Sequence, residues 1–243
     1  MKKIVLAFLA GTALMVAPMA ALADETSNTA TGNGTWNSGG GEQDEAEKLT
    51  PDLTNGRDVY EVCSACHQPN GWGLTDGTFP QIAGQHRNVL IKQLADIRAR
   101  NRDNPTMYPF ALPQEIGGSQ SIADVTAYIA KLPMNPNPGV GPGTALDKGK
   151  QLYADNCVRC HGDQGQGDDA KFFPRIQGQH YEYLLRQYQW IKAGKRRNAN
   201  PDMVKQIQNF SDEDTVAVLD YVSRLKPPAE MVGAPDWQNP DFQ

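Results

Sequence analysis

The sequence predicts an all-α protein made of two tandem copies of one module. Segments repeat at an offset of 94 residues, as in FPQIAGQH at 79–86 and FPRIQGQH at 173–180, which indicates internal duplication. Apolar residues within each copy recur at helical spacing. No stretch alternates polar and apolar residues for long enough to predict a strand.

Residues 1–23 are predicted to be a signal peptide. MKK supplies a basic start, IVLAFLAGTALMVAPM an apolar run and ALA at 21–23 a small-residue cleavage site, so we expect cleavage after Ala23. The alternative is an uncleaved membrane anchor, but the apolar run is short and poorly flanked for a spanning helix. We therefore expect an exported protein, located in the periplasm.

The rest of the chain divides by composition into four kinds of segment. Residues 24–50 are polar and rich in Gly, Ser and Thr, and we expect them to be disordered because little apolar surface offsets the ordering entropy. Two domains follow, module 1 at 51–135 and module 2 at 147–228. A Pro/Gly-rich linker at 136–146 joins them, and 229–243 form an irregular tail.

Each module carries amphipathic helices. In module 1, SIADVTAYIAKL at 121–132 also offers Ser121 and Asp124 as an N-terminal capping pair. The residues expected on buried helix faces are Val89, Leu90, Leu94, Ile97, Ile122, Val125, Ile129, Leu132, Val218, Leu219, Val222 and Leu225. So few short helices bury little apolar area, and a large apolar group at the centre would stabilise each module.

The charge balance excludes one class of function. The chain has 23 Lys and Arg against 28 Asp and Glu, for a net charge of −5. Nucleic-acid binding draws on clustered positive charge, so we expect no nucleic-acid partner.

All four cysteines lie in two CxxCH motifs, CSACH at 63–67 and CVRCH at 157–161. A disulfide within each motif would leave the histidines unexplained. Zinc needs four ligands, whereas each motif supplies three. A thioredoxin-like dithiol needs a preceding strand, which is not predicted.

CxxCH is the attachment signal of haem c, because two thiols add across the haem vinyl groups and the adjacent histidine reaches the iron. We therefore predict two covalently bound haem c groups. Covalent attachment is assigned to Cys63, Cys66, Cys157 and Cys160, and axial iron ligation to His67 and His161.

With these motifs, each module resembles a class I cytochrome c. The tandem pair, with FPxIxGQH in both copies, resembles the dihaem cytochrome c4 family, over residues 51 to about 228. The resemblance implies that the carbonyl groups of Pro80 and Pro174 accept the N–H of the proximal imidazoles. It also implies close packing between the first and last helices of each module, through Gly56, Tyr60 and Tyr128 and through Gly149, Tyr153 and Tyr221. Support of the haem pocket is accordingly assigned to Pro80, Pro174, Tyr60 and Tyr153.

The sixth iron ligand decides between electron transfer and catalysis. Methionine gives a closed, high-potential site, and a vacant position permits catalysis. Met107 and Met203 occupy equivalent NPxM positions before the last helix of each module, where class I cytochromes carry this ligand. We predict that these two residues complete the iron coordination.

Other residues compete for this role. Met134 and Met231 follow the last helices and are expected not to reach the iron. Bis-histidine ligation by His86 and His180 is chemically allowed, but we interpret both as surface residues. Basic residues near the methionines are expected to meet haem propionates or an acidic partner, or else to be solvated, namely Arg98, Arg100, Arg102, Lys192, Lys195, Arg196 and Arg197.

The expected function is electron transfer without a catalytic residue or a small-molecule substrate. The resemblance implies quinol–cytochrome c reductase as a donor and a terminal oxidase as an acceptor. One alternative is an electron-accepting subunit, as in flavocytochrome c sulfide dehydrogenase. The other is a dihaem enzyme, a thiosulfate dehydrogenase or a peroxidase, although no cysteine is spare to ligate a catalytic haem.

Overall fold

The computed structural model describes residues 41–243, which lie in one compact unit. The regular elements of this range are helices, with two isolated β-bridges besides, so the all-α prediction is confirmed. The signal peptide and residues 24–40 fall outside the described range. Within it, no helix is both long enough and apolar enough to cross a membrane.

The helices follow the two-module order. A short helix, α1 (Gly41–Lys48), comes first. Module 1 contains α2 (Leu53–His67), α3 (Arg87–Arg98), α4 (Tyr108–Ala111), α5 (Pro113–Ile116) and α6 (Ser119–Lys131). Module 2 contains α7 (Leu146–Asn156), α8 (Val158–His161), α9 (Tyr181–Lys192), α10 (Pro201–Ile207) and α11 (Asp212–Ser223).

The first and last helices of each module cross at a glycine. A Cβ on Gly56 would lie 2.7 Å from the carbonyl carbon of Asp124 in α6, so only glycine permits this approach. The ring of Tyr60 packs beside Tyr128 at 5.3 Å between centroids. Module 2 repeats both contacts, with Gly149 against Ala217 and with Tyr153 5.6 Å from Tyr221.

The predicted capping pair of α6 is wrong. The helix begins at Ser119, so Ser121 lies inside it. The Asp124 carboxylate is buried and accepts hydrogen bonds from the backbone N–H of Asp52 and the side-chain amide of Asn55, each at 2.7 Å. It therefore ties α6 to the start of α2.

The prediction that residues 24–50 are disordered is wrong for residues 41–48, which form helix α1. Ala46 on this helix is fully buried against Ile91 and Ile122 of module 1. The Arg87 guanidinium donates to the carbonyl oxygens of Ala46 at 2.9 Å and Leu49 at 3.2 Å, which satisfies acceptors that a helix end leaves open. Composition alone missed this helix because its burial rests on few apolar residues.

The two modules meet through a reciprocal exchange that follows an approximate two-fold relation. The Gln85 side chain donates to the carbonyl oxygen of Arg175 at 2.8 Å and accepts from its N–H at 2.9 Å. The equivalent Gln179 side chain makes the same pair with Gln81, at 2.8 and 3.1 Å. The repeated FPxIxGQH motif is thus the inter-module contact.

The histidines of this motif also cross the interface. His86 Nε2 lies 2.7 Å from the carbonyl oxygen of Gln166, and His180 Nε2 lies 2.6 Å from that of Trp72. The N–H of Gly139 donates to His180 Nδ1 at 3.0 Å. The interpretation of His180 as a surface residue is wrong, because it is fully buried, whereas His86 is half-buried.

The tail after module 2 returns to module 1. The N–H of Met134 donates to the carbonyl oxygen of Met231 at 2.7 Å, and the N–H of Gly233 donates to that of Met134 at 2.9 Å. The rest of the tail is irregular apart from two 3₁₀ turns, one at Ala229–Met231 and one at Pro240–Phe242. It therefore spans both modules.

The end of the tail packs on the first helix of module 1. Trp237 lies 6.0 Å from Trp72, and Phe242 lies edge-on 5.6 Å from Tyr60, between ring centroids. The buried Asn239 amide donates to the carbonyl oxygen of Pro69 at 2.8 Å. The tail contributes aromatic rings and a satisfied polar group to the outer side of module 1.

Asn239→Ala is expected to lower the free energy of unfolding by about 2 kcal/mol, because it removes the two hydrogen bonds that the buried Asn239 amide donates, to the Pro69 carbonyl oxygen and to the Tyr128 hydroxyl group. Urea unfolding of the full chain measures this. The exposed neighbour Gln238 provides the matched control, and Gln238→Ala should change the midpoint little. Equal effects of the two substitutions would show that the tail contact is not specific.

The stability of the interface should fall as the solution becomes acidic. Burial lowers the pKa of His180, with the Trp72 carbonyl and the Asp76 carboxylate acting in the opposite direction. The unfolded chain, with an ordinary histidine pKa of about 6.5, therefore binds the proton more readily, and protonation favours unfolding below that pH. The urea midpoint should decrease from about pH 7.5 to about pH 5.5, and His180→Gln should flatten this decrease more than His86→Gln.

Candidate functional site

Cys63 and Cys66 lie on α2, whereas Cys157 lies between α7 and α8 and Cys160 lies on α8. None of the four cysteines forms a disulfide. In module 1 the motif forms the C-terminal end of the single helix α2, whereas in module 2 the helix is interrupted at Cys157, between α7 and α8. Burial raises the pKa of Cys63 and of Cys157 to about 12. Both thiols are therefore protonated at neutral pH in this structure.

The motif histidines are held by the prolines that the resemblance implies. His67 Nδ1 lies 2.9 Å from the carbonyl oxygen of Pro80, and His161 Nδ1 lies 3.0 Å from that of Pro174. A carbonyl oxygen can only accept, so Nδ1 carries the hydrogen. Burial lowers the pKa of both imidazoles, and the neutral ring keeps its Nε2 lone pair available for a metal.

A glycine in each module lets the chain pass close to that proline. Gly73 has φ of +64° and donates its N–H to the carbonyl oxygen of His67 at 3.0 Å. Its Cβ would lie 2.5 Å from the carbonyl oxygen of Pro80. Gly167 repeats the arrangement with φ of +70°, so both loops need glycine for backbone and steric reasons.

The tyrosines assigned to pocket support brace the residue after each histidine. Tyr60 donates its hydroxyl to the carbonyl oxygen of Gln68 at 2.8 Å, and Tyr153 donates to that of Gly162 at 2.5 Å. Both tyrosines are buried. Each hydroxyl thus fixes the chain where it leaves the CxxCH motif.

The two NPxM segments begin short helical turns, a role that was not foreseen. The Asn104 side chain accepts from the N–H of Met107 at 3.3 Å, just before α4. Asn200 caps α10 by accepting from Asp202 at 2.8 Å, as asparagine commonly does before proline at the first helical position. Met107 and Met203 are both half-buried, and Met203 packs against the core of module 2.

The other two methionines of the described range lie at the junction of the modules. Met134 is buried and would collide with a Cβ on Gly84, and its terminal methyl would lie 3.0 Å from a Cβ on Gly178. The sulfur of Met231 accepts from the Arg175 guanidinium at 2.8 Å. Both residues serve the interface and the tail.

A pair of arginines lies at the same junction, with Arg102 buried and Arg196 half-buried. Arg102 and Arg196 are equivalent by the 94-residue offset, as are Gln93 and Gln187. Arg102 donates to Gln93 at 2.9 Å and to Gln187 at 3.2 Å, and Arg196 donates to each of them at 3.0 Å. The 94-residue offset marks the two arginines as equivalent in the sequence, although it does not show that their side chains meet.

Positive charge exceeds negative charge in this cluster. Asp96 pairs with Lys92 at 2.5 Å and also accepts from Asn198 at 2.7 Å. Burial, and then the neighbouring Arg102, lower the pKa of Arg196 to about 9, which still leaves it charged at neutral pH. Two guanidinium groups this close together fit an anionic ligand.

The other basic residues that were expected near the methionines do not join the Arg102 and Arg196 cluster. Arg98 contacts α1 and the methionine segment of module 1, and Lys192 donates to the carbonyl oxygen of Phe210. Arg100 lies over the ring of Tyr108 at 3.7 Å. Lys195 and Arg197 are exposed.

Fold and site together define a tandem pair of helical domains, each presenting two thiols and an oriented imidazole at the end of its first helical segment. The family model described as cytochrome c matches residues 53–133 and 146–226. Cytochrome c4 of Thiocapsa roseopersicina is 33% identical over 174 residues, covering 68% of this chain and 87% of the relative.

A relative described as a thiosulfate dehydrogenase electron acceptor, from Stutzerimonas stutzeri strain A1501, is 31% identical over 177 residues, covering 68% of this chain and 79% of its own length. The crystal structure of reduced recombinant cytochrome c4 from Pseudomonas stutzeri matches with a TM-score of 0.62 and 27% identity, covering 72% of this chain and all of that one. The chain belongs to the dihaem cytochrome c4 family.

The cofactor expected for this family is haem c, in two copies. The residues present fit it, because each module offers two thiols and an imidazole with Nε2 available. The guanidinium groups of Arg102 and Arg196 suit the carboxylate groups of haem propionates.

Arg102→Gln is expected to lower the midpoint potential of the protein by tens of millivolts, because a buried positive charge favours the ferrous state. This shift corresponds to roughly 1 kcal/mol of charge interaction at an effective dielectric constant near 20. Spectroelectrochemical titration measures it. Lys150→Gln removes the same charge from an exposed position and should shift the potential much less, because water and salt screen it. Equal shifts would contradict the assignment of Arg102.

Proposed function

We propose that this protein is a periplasmic electron carrier that moves single electrons between other redox proteins. Family membership supports electron transfer, and the interface supports the carrier role. The Gln85 and Gln179 contacts fix one module against the other, so the two imidazole-bearing segments keep a constant separation. A constant separation favours electron exchange between two centres, because the rate falls steeply with distance.

Haem c supplies one-electron iron chemistry when bound. The chain contributes the axial imidazoles of His67 and His161, with the carbonyl groups of Pro80 and Pro174 holding their orientation. Such hydrogen bonds fix the tautomer and raise the basicity of the ligand.

Met107 and Met203 are proposed as the sixth ligands. Their equivalent positions in capped turns support this, as do the separate roles of Met134 and Met231 at the interface. The nitrogen atoms of His86 and His180 that cross the interface are engaged by carbonyl groups of the opposite module. A thioether ligand favours ferrous iron and a high potential.

Met107→Ala should remove about half of the weak far-red sulfur-to-iron charge-transfer band, and Met203→Ala the other half, because each thioether would serve one iron. Each variant should also open one haem to carbon monoxide. Absorption spectra of the oxidised and the carbon monoxide-treated reduced protein measure this. Met134→Ala serves as the control and should leave the band intact. A full band in Met107→Ala would refute its ligation.

The proposed donor and acceptor are quinol–cytochrome c reductase and a terminal oxidase. A second candidate function is electron acceptance from a thiosulfate-oxidising enzyme. The relative from Stutzerimonas stutzeri that is described as a thiosulfate dehydrogenase electron acceptor supports it. In both cases the chain carries electrons for a separate catalyst.

Stopped-flow reduction tests the carrier role. The oxidised protein should be reduced rapidly by quinol–cytochrome c reductase with quinol, or by a thiosulfate dehydrogenase with thiosulfate, and the faster pair identifies the partner. The isolated protein should turn over neither thiosulfate nor peroxide, because six-coordinate iron leaves no position for a substrate. Rapid turnover by the protein alone would instead identify it as an enzyme.

A further inference from the structure

Arg98, the last residue of α3, joins three parts of module 1. Its side chain is only 6% exposed and forms an ion pair with Glu42 of α1. Its Nε donates to the carbonyl oxygen of Ala111, and its Nη2 donates to that of Gly117 at 2.6 Å. One guanidinium therefore contacts α1 and the ends of both α4 and α5.

These two carbonyl groups belong to the segment that starts at Met107. The N–H of Ala111 donates back to the carbonyl oxygen of Met107 at 3.0 Å, and Gly117 closes the following turn with φ of +81°. Ala111 is fully buried. By holding residues 111 and 117, Arg98 limits the movement of the whole segment after Met107.

Helix α1 provides the counter-charge from a fixed position. Ala46 is buried in the core, Arg87 covers the carbonyl end of the helix, and Ser119 donates to Glu45 at 2.7 Å. Burial lowers the pKa of Arg98, and Glu42 partly offsets this cost. Without Glu42 the buried guanidinium would keep only neutral partners, an expensive arrangement.

Module 2 holds its methionine segment more simply. Lys192 is equivalent to Arg98 by the 94-residue offset, and its ammonium group donates to the carbonyl oxygen of Phe210. The linker before α7 contains no helix corresponding to α1. An ammonium group is a single compact charge, whereas a guanidinium forks to several acceptors.

We propose that α1, acting through Glu42 and Arg98, is a brace that strengthens iron ligation by Met107 in module 1 and not by Met203 in module 2. This rests on the proposed ligand role of the two methionines. Arg98 and Glu42 are positioning residues, since they act on Met107 through the backbone of residues 111–117. The two haems of one chain consequently differ in how readily they lose the sulfur ligand.

The test follows the far-red charge-transfer band during urea titration. Met203→Ala leaves the band of module 1, and Met107→Ala leaves that of module 2. In the Met203→Ala background, Glu42→Gln should lower the urea midpoint of the band and raise the unligated fraction about tenfold at a fixed urea concentration, the size expected for one charge-assisted hydrogen bond. In the Met107→Ala background, Glu42→Gln should leave the midpoint unchanged.

Two further variants separate the brace from general packing. Glu45→Gln weakens the contact of α1 with Ser119 without touching Arg98, and its shift should be clearly smaller than that of Glu42→Gln. Arg98→Lys gives module 1 the residue type of Lys192, and it should bring the midpoint of module 1 to that of module 2 even if Glu42→Gln folds poorly.

Three outcomes would overturn the brace alone: no shift with Glu42→Gln, an equal shift in the Met107→Ala background, or an equal shift with Glu45→Gln. A Met107→Ala protein that keeps its full band would overturn the ligand assignment as well. The two failures are therefore distinguishable.

Discussion

The exchange of hydrogen bonds between a glutamine side chain and the opposite backbone supports the rest of this structure. A primary amide carries both a donor and an acceptor, so Gln85 and Gln179 each satisfy an N–H and a C=O of the other module. Gln81, the partner of Gln179, directly follows Pro80, whose carbonyl group orients His67. Arg175, the partner of Gln85, directly follows Pro174, whose carbonyl group orients His161. The repeated FPxIxGQH segment therefore both orients the motif histidine and joins the modules. A shift at the interface would consequently move the carbonyl group that orients each imidazole.

Local patterns were sufficient for the fold class and for much of each helix. The spacing on α3 placed Val89, Leu90 and Ile97 inside, and all three are buried. The same spacing left Ile91 outside the expected face, yet it is fully buried. Its partner is Ala46 of α1, a helix whose own composition is almost entirely polar. Ile91 and Ala46 are buried because α1 packs on α3, and the spacing of residues within either helix does not predict that contact.

The contacts between the modules could not be predicted from the sequence for a related reason. A polar residue at a helix start normally faces water, which made the surface the natural expectation for His180. That residue is buried because the opposite module supplies a carbonyl group, from Trp72, for its Nε2. For Arg102 and Arg196 the sequence left solvation and an anionic partner as alternatives. The two residues come together only when the two copies face each other, with Arg102 buried and Arg196 half-buried. Duplication marks such residues as equivalent, but only the packing of the copies shows that they meet.

The C-terminal tail has a consequence for the order in which the protein is completed. Trp237, Asn239 and Phe242 finish the outer side of module 1, although the ribosome makes them after every residue of both modules. A nascent module 1 therefore lacks part of its final packing until the last segment arrives. During that interval α2, which carries Cys63 and Cys66, lacks the contact of Phe242 with the ring of Tyr60. Docking of the tail then adds contacts to both modules, because Met231 bonds to Met134 of module 1 and to Arg175 of module 2.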